Sequence, residues 1–237
     1  MAERFFAFVL HTSAAGIMLA GYKGLETTVL NTYITSQKGG HAQFLTIQAL
    51  ALALLTTIFS LVTDVLPSFT LARKLKRAFF IVALPVTVVV FAIYWSLLFL
   101  FPHLILQGKP GSTPPSSTSS AQAEVFRIPL SLDLALHAAP AVSLLLDFFA
   151  FERAYGRFEA GWGATFAASL FGIWYAVWVE YCAGYNGTFP YPFLNNPLPV
   201  RIAIYTVVIS IAVASFRGIN ELHIKLNGQP FVRTKKE

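Results

Sequence analysis

Thr46 heads an apolar run, QFLTIQALALALL, that continues to Leu66. Asp133 and His137 stand four residues apart in another apolar run, so on a helix they share a face and can hydrogen-bond. A carboxylate so placed fixes the imidazole tautomer and stabilises the imidazolium, as the acid of a catalytic triad does. With a hydroxyl at Thr46 and a base at His137, these residue types permit acyl transfer. The hydroxyl attacks an ester carbonyl, and the imidazole takes its proton and returns it to the leaving alcohol. Lys23 or nearby N–H groups would stabilise the oxyanion, and Glu180 is a further carboxylate at that level. The competing reading is structural. A threonine in a membrane helix most often bonds its own backbone carbonyl, and Asp133 can reach the interface.

The elements that must position these residues follow from composition. The 237 residues are 56% hydrophobic and only 12% charged, against about a quarter charged in soluble domains. Mean hydropathy is +0.63. Six runs are long and apolar enough to cross a bilayer, at about 5–22, 44–66, 78–101, 130–151, 163–184 and 198–218. Backbone groups in hydrocarbon must be satisfied within the segment, so each is read as a helix. The fold class predicted is all-α: a single integral membrane domain of six transmembrane helices. Pro85 and Pro140 are expected to mark kinks. The first run, with Arg4 before it and His11 inside it, is read as a retained span rather than a signal peptide.

Lys and Arg choose the orientation. Arg4, the Arg73–Arg77 cluster, Arg153, Arg157, and Arg217, Lys225, Arg233, Lys235 and Lys236 at the C-terminal end fall on one side. Lys23, Lys38, Lys109, Arg127 and Arg201 fall on the other. The positive-inside rule then predicts cytosolic termini, with residues 219–237 as a cytosolic tail. Thr46, Asp133, His137, Glu180 and Lys23 all come out toward the opposite side. On straight helices Thr46 lies roughly 13 Å and His137 roughly 5 Å beyond the midplane, a gap that tilt must close for the two to meet. Residues 107–126 are rich in Pro, Gly, Ser and Thr and read as a disordered outer loop. The sequon Asn186-Gly187-Thr188 lies on the same side, close to span five.

Several classes drop out. The single cysteine, Cys182, permits no intrachain disulfide and no thiolate cluster. The five histidines are scattered in depth, so neither a metal nor another cofactor is expected. There is no Gly-x-Ser-x-Gly elbow, His-Glu-x-x-His or phosphate-binding glycine loop. The net charge of +6 is distributed as membrane orientation requires, so no nucleic-acid partner is expected.

Short motifs, in order along the chain, add a likeness: YKGLE at 22–26, GGHAQFLT ending at Thr46, VTD at 62–64, LPV with Trp95, LALHAAPAV around His137, and YPFL at 191–194. On this six-span layout the sequence resembles the androgen-induced and androgen-dependent TFPI-regulating protein family of six-span threonine hydrolases. The resemblance implies hydrolysis of fatty acid esters of hydroxy fatty acids, with Thr46 as nucleophile and His137 as its partner. The family carries an amide where this chain has Asp133, so the orienting role of Asp133 rests on spacing alone. The Ser/Pro-rich loop is an insertion relative to the family. The expected partner is a lipid ester drawn from the bilayer, in the plasma membrane or the endoplasmic reticulum. A small transporter and a non-enzymatic lipid-binding or scaffold protein are the alternatives.

Overall fold

A computed structural model describes residues 2–105 and 127–228. The expected disordered loop, 107–126, and the tail beyond 228 lie outside the described residues. The architecture is all-helical, with no strand among the described residues. Helix α1 (Ala2–Gly24) is followed by a 3-10 turn, the short α2 (Asn31–Ser36) and a second 3-10 turn (Gly40–Gln43). Then come α3 (Leu45–Val65), α4 (Thr70–Leu100), α5 (Leu130–His137), α6 (Ala139–Phe151), α7 (Ala164–Asn186) and α8 (Leu198–Asn227). Five helices are long and apolar enough to span a membrane, and the number is six if the bent pair α5 and α6 counts as one span.

The break has a covalent cause. Pro140 stands in the first turn of α6. It has no N–H for the carbonyl four residues back, and its ring crowds that carbonyl. The chain bends by 44° at Ala138, directly after His137. Helix α4, by contrast, passes Pro85 without a break.

Two boundaries differ from the sequence reading. The basic stretch before span three is not a loop but the first turns of α4, which its Leu, Ala, Arg and Lys favour. Helix α8 continues to Asn227, so the first part of the expected tail is helical.

The core lies between α1, α3, α4 and α6, around Met18, Ala53, Phe80, Leu84, Leu144 and Phe148. Phe216 of α8 and Tyr155 of the α6–α7 connection close it at one end. Helix α8 keeps most of its surface outward, as a lipid-facing helix does. It meets α7 where a Cβ on Gly172 would fall 2.4 Å from Ile209, so only glycine permits that approach.

Charge sorts to one end of the bundle. Glu3 and Arg4 of α1, Arg73, Lys76 and Arg77 of α4, and Glu152 and Arg153 after α6 line one cleft. Asn227, at the end of α8, donates to the Phe149 carbonyl at 3.3 Å. The beginning of α1 and the end of α8 therefore share one end of the bundle. Thr46 and His137 belong to the other.

Candidate functional site

Thr46 owes its position to the segment before it. Gly39 adopts φ +85°, and a Cβ there would meet Cys182 Sγ at 2.6 Å. From this turn Gln43 runs inward, fully buried, and donates to Gln37 Oε1 at 2.8 Å. Helix α7 holds the same segment. Tyr175 donates to the Gln43 carbonyl (3.3 Å), and Trp178 Nε1 to that of Ala42 (3.0 Å). Asn186 accepts from the Lys38 N–H (2.8 Å) and donates to the Lys38 carbonyl (3.1 Å). The sequon asparagine is thus a clamp between the end of α7 and the turn before α3.

Phe44 is extended and caps α3, its carbonyl accepting from the Ile47 and Gln48 N–H groups. The N–H groups of Leu45 and Thr46 precede the first intrahelical bond, so they are free for other acceptors. The Thr46 N–H meets the phenol of Tyr191, 3.5 Å from its oxygen. Thr56, Thr57 and Thr87 each turn the hydroxyl back to the carbonyl four residues earlier. Thr46 lacks a preceding helical turn and makes no such bond, and its N–H and side chain lie beside the Tyr191 phenol. Burial pushes the Tyr191 phenol above its ordinary range, against the pull of these groups. It stays protonated and can donate.

His137 ends α5. Its Nδ1 lies 2.7 Å from Asp133 Oδ1, the i,i+4 pair that spacing predicts. A carboxylate accepts, so Nδ1 carries the proton and Nε2 keeps its lone pair. The imidazole is stacked on Tyr94 of α4, centroids 3.4 Å apart and planes within 3°. Asp133 and His137 are both buried.

Two cavities meet here. One, of about 860 Å³ with its mouth, runs between α3, α4, α7 and α8 and is walled by Val86, Val90, Phe171 and Ile209. The other, of about 770 Å³ with its mouth, lies under the α1–α3 connection and is lined by Leu25, Ile34, His41 and His137. Thr46, Tyr94, Ile105 and Tyr191 line both. Thr46 and His137 thus line one cavity. No hydrogen bond joins the two among the described residues. His41 donates Nε2–H to Asn31 Oδ1 at 2.8 Å, and burial lowers its pKa, so it stays neutral.

The other candidates lie elsewhere. Lys23 is exposed at the end of α1 and lines neither cavity. Glu180 pairs with Arg201 (2.6 and 2.8 Å) and accepts from Tyr205 (3.0 Å). Neither reaches Thr46. Tyr94 and Tyr191 complete the site and escape a search for catalytic types, because their role lies in stacking and in a hydroxyl brought from a distant loop. The turn-rich stretch YNGTFPYPFL, readable as a cover for a cavity mouth, is the signal that points to Tyr191. Among the described residues no group of His, Cys, Asp and Glu is arranged to hold a metal.

The family model described as FAR-17a/AIG1-like protein matches residues 6–224. The chain belongs to the FAR-17a/AIG1-like family. It is 28% identical over 210 residues to the UPF0641 membrane protein PJ4664.05 of Schizosaccharomyces pombe, covering 88% of this chain and 86% of that protein. It is 26% identical over 231 residues to the UPF0641 membrane protein YHR140W of Saccharomyces cerevisiae, covering 89% and 87%. No solved structure matches. Family membership agrees with the resemblance read from the motifs, and the relatives, like this chain, are membrane proteins.

Proposed function

We propose that this chain is a membrane-embedded hydrolase of fatty acid esters of hydroxy fatty acids, with Thr46 as nucleophile and His137 as general base. The observation that carries the reading is the place of Thr46. Its hydroxyl stands at the free N–H end of α3, where two apolar cavities meet, one of them lined by a His137 oriented by Asp133. A branched ester has two hydrocarbon arms diverging from one carbonyl, and two cavities diverging from one hydroxyl match that shape.

The residues divide the work as follows. Thr46 Oγ1 adds to the ester carbon while its proton passes to His137 Nε2. The carbonyl electrons move onto oxygen, which accepts from the Leu45 and Thr46 N–H groups and the Tyr191 hydroxyl. Collapse breaks the bond to the alcohol oxygen, to which His137 returns the proton. Water then adds to the Thr46 ester with His137 again as base, and the fatty acid leaves. Thr46 and His137 come into hydrogen-bond reach when the ester is bound, as is common for catalytic pairs.

The test is hydrolysis of a branched fatty ester by the detergent-purified chain, alongside Thr46→Ala and His137→Ala. Loss in both variants, with helical content retained, is expected; full activity in either refutes the assignment. One observation favours a second reading, lipid transport: span four is broken beside its ionisable pair, as in transporters. Flux of an uncleaved lipid across proteoliposomes, unaffected by Thr46→Ala, would decide for it.

A further inference from the structure

At the end of the bundle away from Thr46, a polar cleft of about 880 Å³ with its mouth opens between α1, α3, α4 and α6. Five cations line it, Arg4, Arg73, Lys76, Arg77 and Arg153, with the carboxylates Glu3, Asp64 and Glu152. The floor is internally neutralised. Lys76 is 4% exposed and held between Asp147 (3.0 Å) and Glu152 (2.8 Å). Arg77 bonds Glu152 (3.2 Å), approaches Glu159 (3.6 Å) and stacks on Tyr155. His11 lies between Asp64 (2.6 Å) and Asp147 (3.2 Å).

The rim is not neutralised. Among the described residues neither the Arg4 nor the Arg153 guanidinium makes a hydrogen bond or ion pair. Arg73 donates to the Pro67 carbonyl, which takes a hydrogen bond but carries no charge. Three guanidiniums from three separate elements thus converge on one cleft, with Glu3 the one rim carboxylate lacking a partner there. Guanidinium forks match phosphate oxygens in shape and charge. Basic pockets between membrane helices commonly hold anionic lipid headgroups. Next in sequence to residues that line the cleft or close to them, Phe5, Phe6, Phe69 and Leu71 are exposed and apolar.

We infer that this cleft is a second lipid site, in which Arg4, Arg73 and Arg153 hold the phosphomonoester headgroup of an acidic phospholipid. The site is independent of the hydrolase reading and shares no residue with it.

The full chain is placed in phosphatidylcholine nanodiscs with a minor fraction of phosphatidic acid or of phosphatidylserine, and retained lipid is counted by native mass spectrometry. Phosphatidic acid is expected to be retained over phosphatidylserine. Loss of each guanidinium, as Arg→Gln, lowers retention by about fivefold, and Thr46→Ala leaves it unchanged. Arg153→Gln alone, at an exposed side chain, guards against a triple variant that does not fold. Equal retention in Arg153→Gln and wild type overturns the site. Equal retention of the two lipids overturns the phosphomonoester assignment. Displacement by millimolar inorganic phosphate as effective as by added phosphatidic acid overturns the lipid assignment.

Discussion

The imidazole of His137 lies flat on the ring of Tyr94, centroids 3.4 Å apart and planes 3° from parallel, while its Nδ1 meets Asp133 at 2.7 Å. Stacking fixes the plane of the ring, and the carboxylate fixes its tautomer. An imidazole so held presents Nε2 in one orientation, which is what a general base requires.

Asp133→Asn tests that arrangement. An amide keeps the size of the side chain but cannot stabilise the imidazolium. A fall of about 10²–10⁴ in kcat with little change in KM is expected, by analogy with loss of the orienting acid in triads. Stopped assays on a branched fatty ester, with a melting curve as the folding control, check it. A drop in KM affinity alone would instead make Asp133 a binding group.

Thr46→Ser separates hydroxyl chemistry from packing. Serine keeps Oγ at the same backbone position, so activity within about tenfold of wild type is expected, whereas Thr46→Ala falls by about 10³ or more. An electrophilic lipid probe should label the wild type and the serine variant but not the alanine variant. Labelling that survives in Thr46→Ala places the nucleophile elsewhere.

Tyr191→Phe removes one hydroxyl from the N–H end of α3. Loss of one oxyanion donor costs about 10²–10³ in kcat in acyl transfer. The phenylalanine keeps the edge contact with Phe44 and the stack on Phe193, so the melting temperature should shift little. Unchanged kcat in this variant would leave the Leu45 and Thr46 N–H groups as the whole oxyanion site.

What the sequence discloses here depends on the range of the physics involved. Spans show as apolar runs because lipid demands them residue by residue, and the Asp133–His137 pair shows because helical spacing is local. Pro140 signals the bend that ends α5 at His137, but not its size. That Thr46 and His137 line one cavity is not legible in the sequence, since depth read on straight helices sets them apart and α6 leaves α5 at 44° immediately after His137. Lys76 was counted as a loop cation, yet it is 4% exposed. Its burial depends on Asp147 and Glu152, which are distant in sequence. Tyr191 reaches Thr46 across 145 positions, beyond any local pattern.

His41 gives a pH dependence with a definite sign. Burial lowers its folded pKa below the ordinary 6.5. The unfolded chain therefore binds the proton more readily, and stability rises with pH between the two values. The contribution is complete above about pH 6.5 and is lost as pH falls toward the folded pKa. His41→Asn should flatten this part of the pH–melting profile, and an NMR titration should place the His41 midpoint below 6.5. A midpoint above 6.5 would contradict the neutral, Asn31-bonded imidazole.

Lys76→Met should cost more stability than any surface change. Lys76 neutralises Asp147 at 3.0 Å and Glu152 at 2.8 Å while nearly inaccessible itself. Removing one partner of a buried pair leaves charge uncompensated, at a cost of about 3–5 kcal/mol. The loss should be concentrated on Asp147, because Glu152 keeps the permanent charge of Arg77 at 3.2 Å, whereas Asp147 keeps only the neutral Ser60 hydroxyl at 3.2 Å and an imidazole, His11, that it shares with Asp64. Neutralising that residue as well, in Lys76→Met with Asp147→Asn, should recover a measurable part of the melting temperature in detergent. A double variant no more stable than Lys76→Met would show that the lysine acts through packing of its stem rather than through its charge.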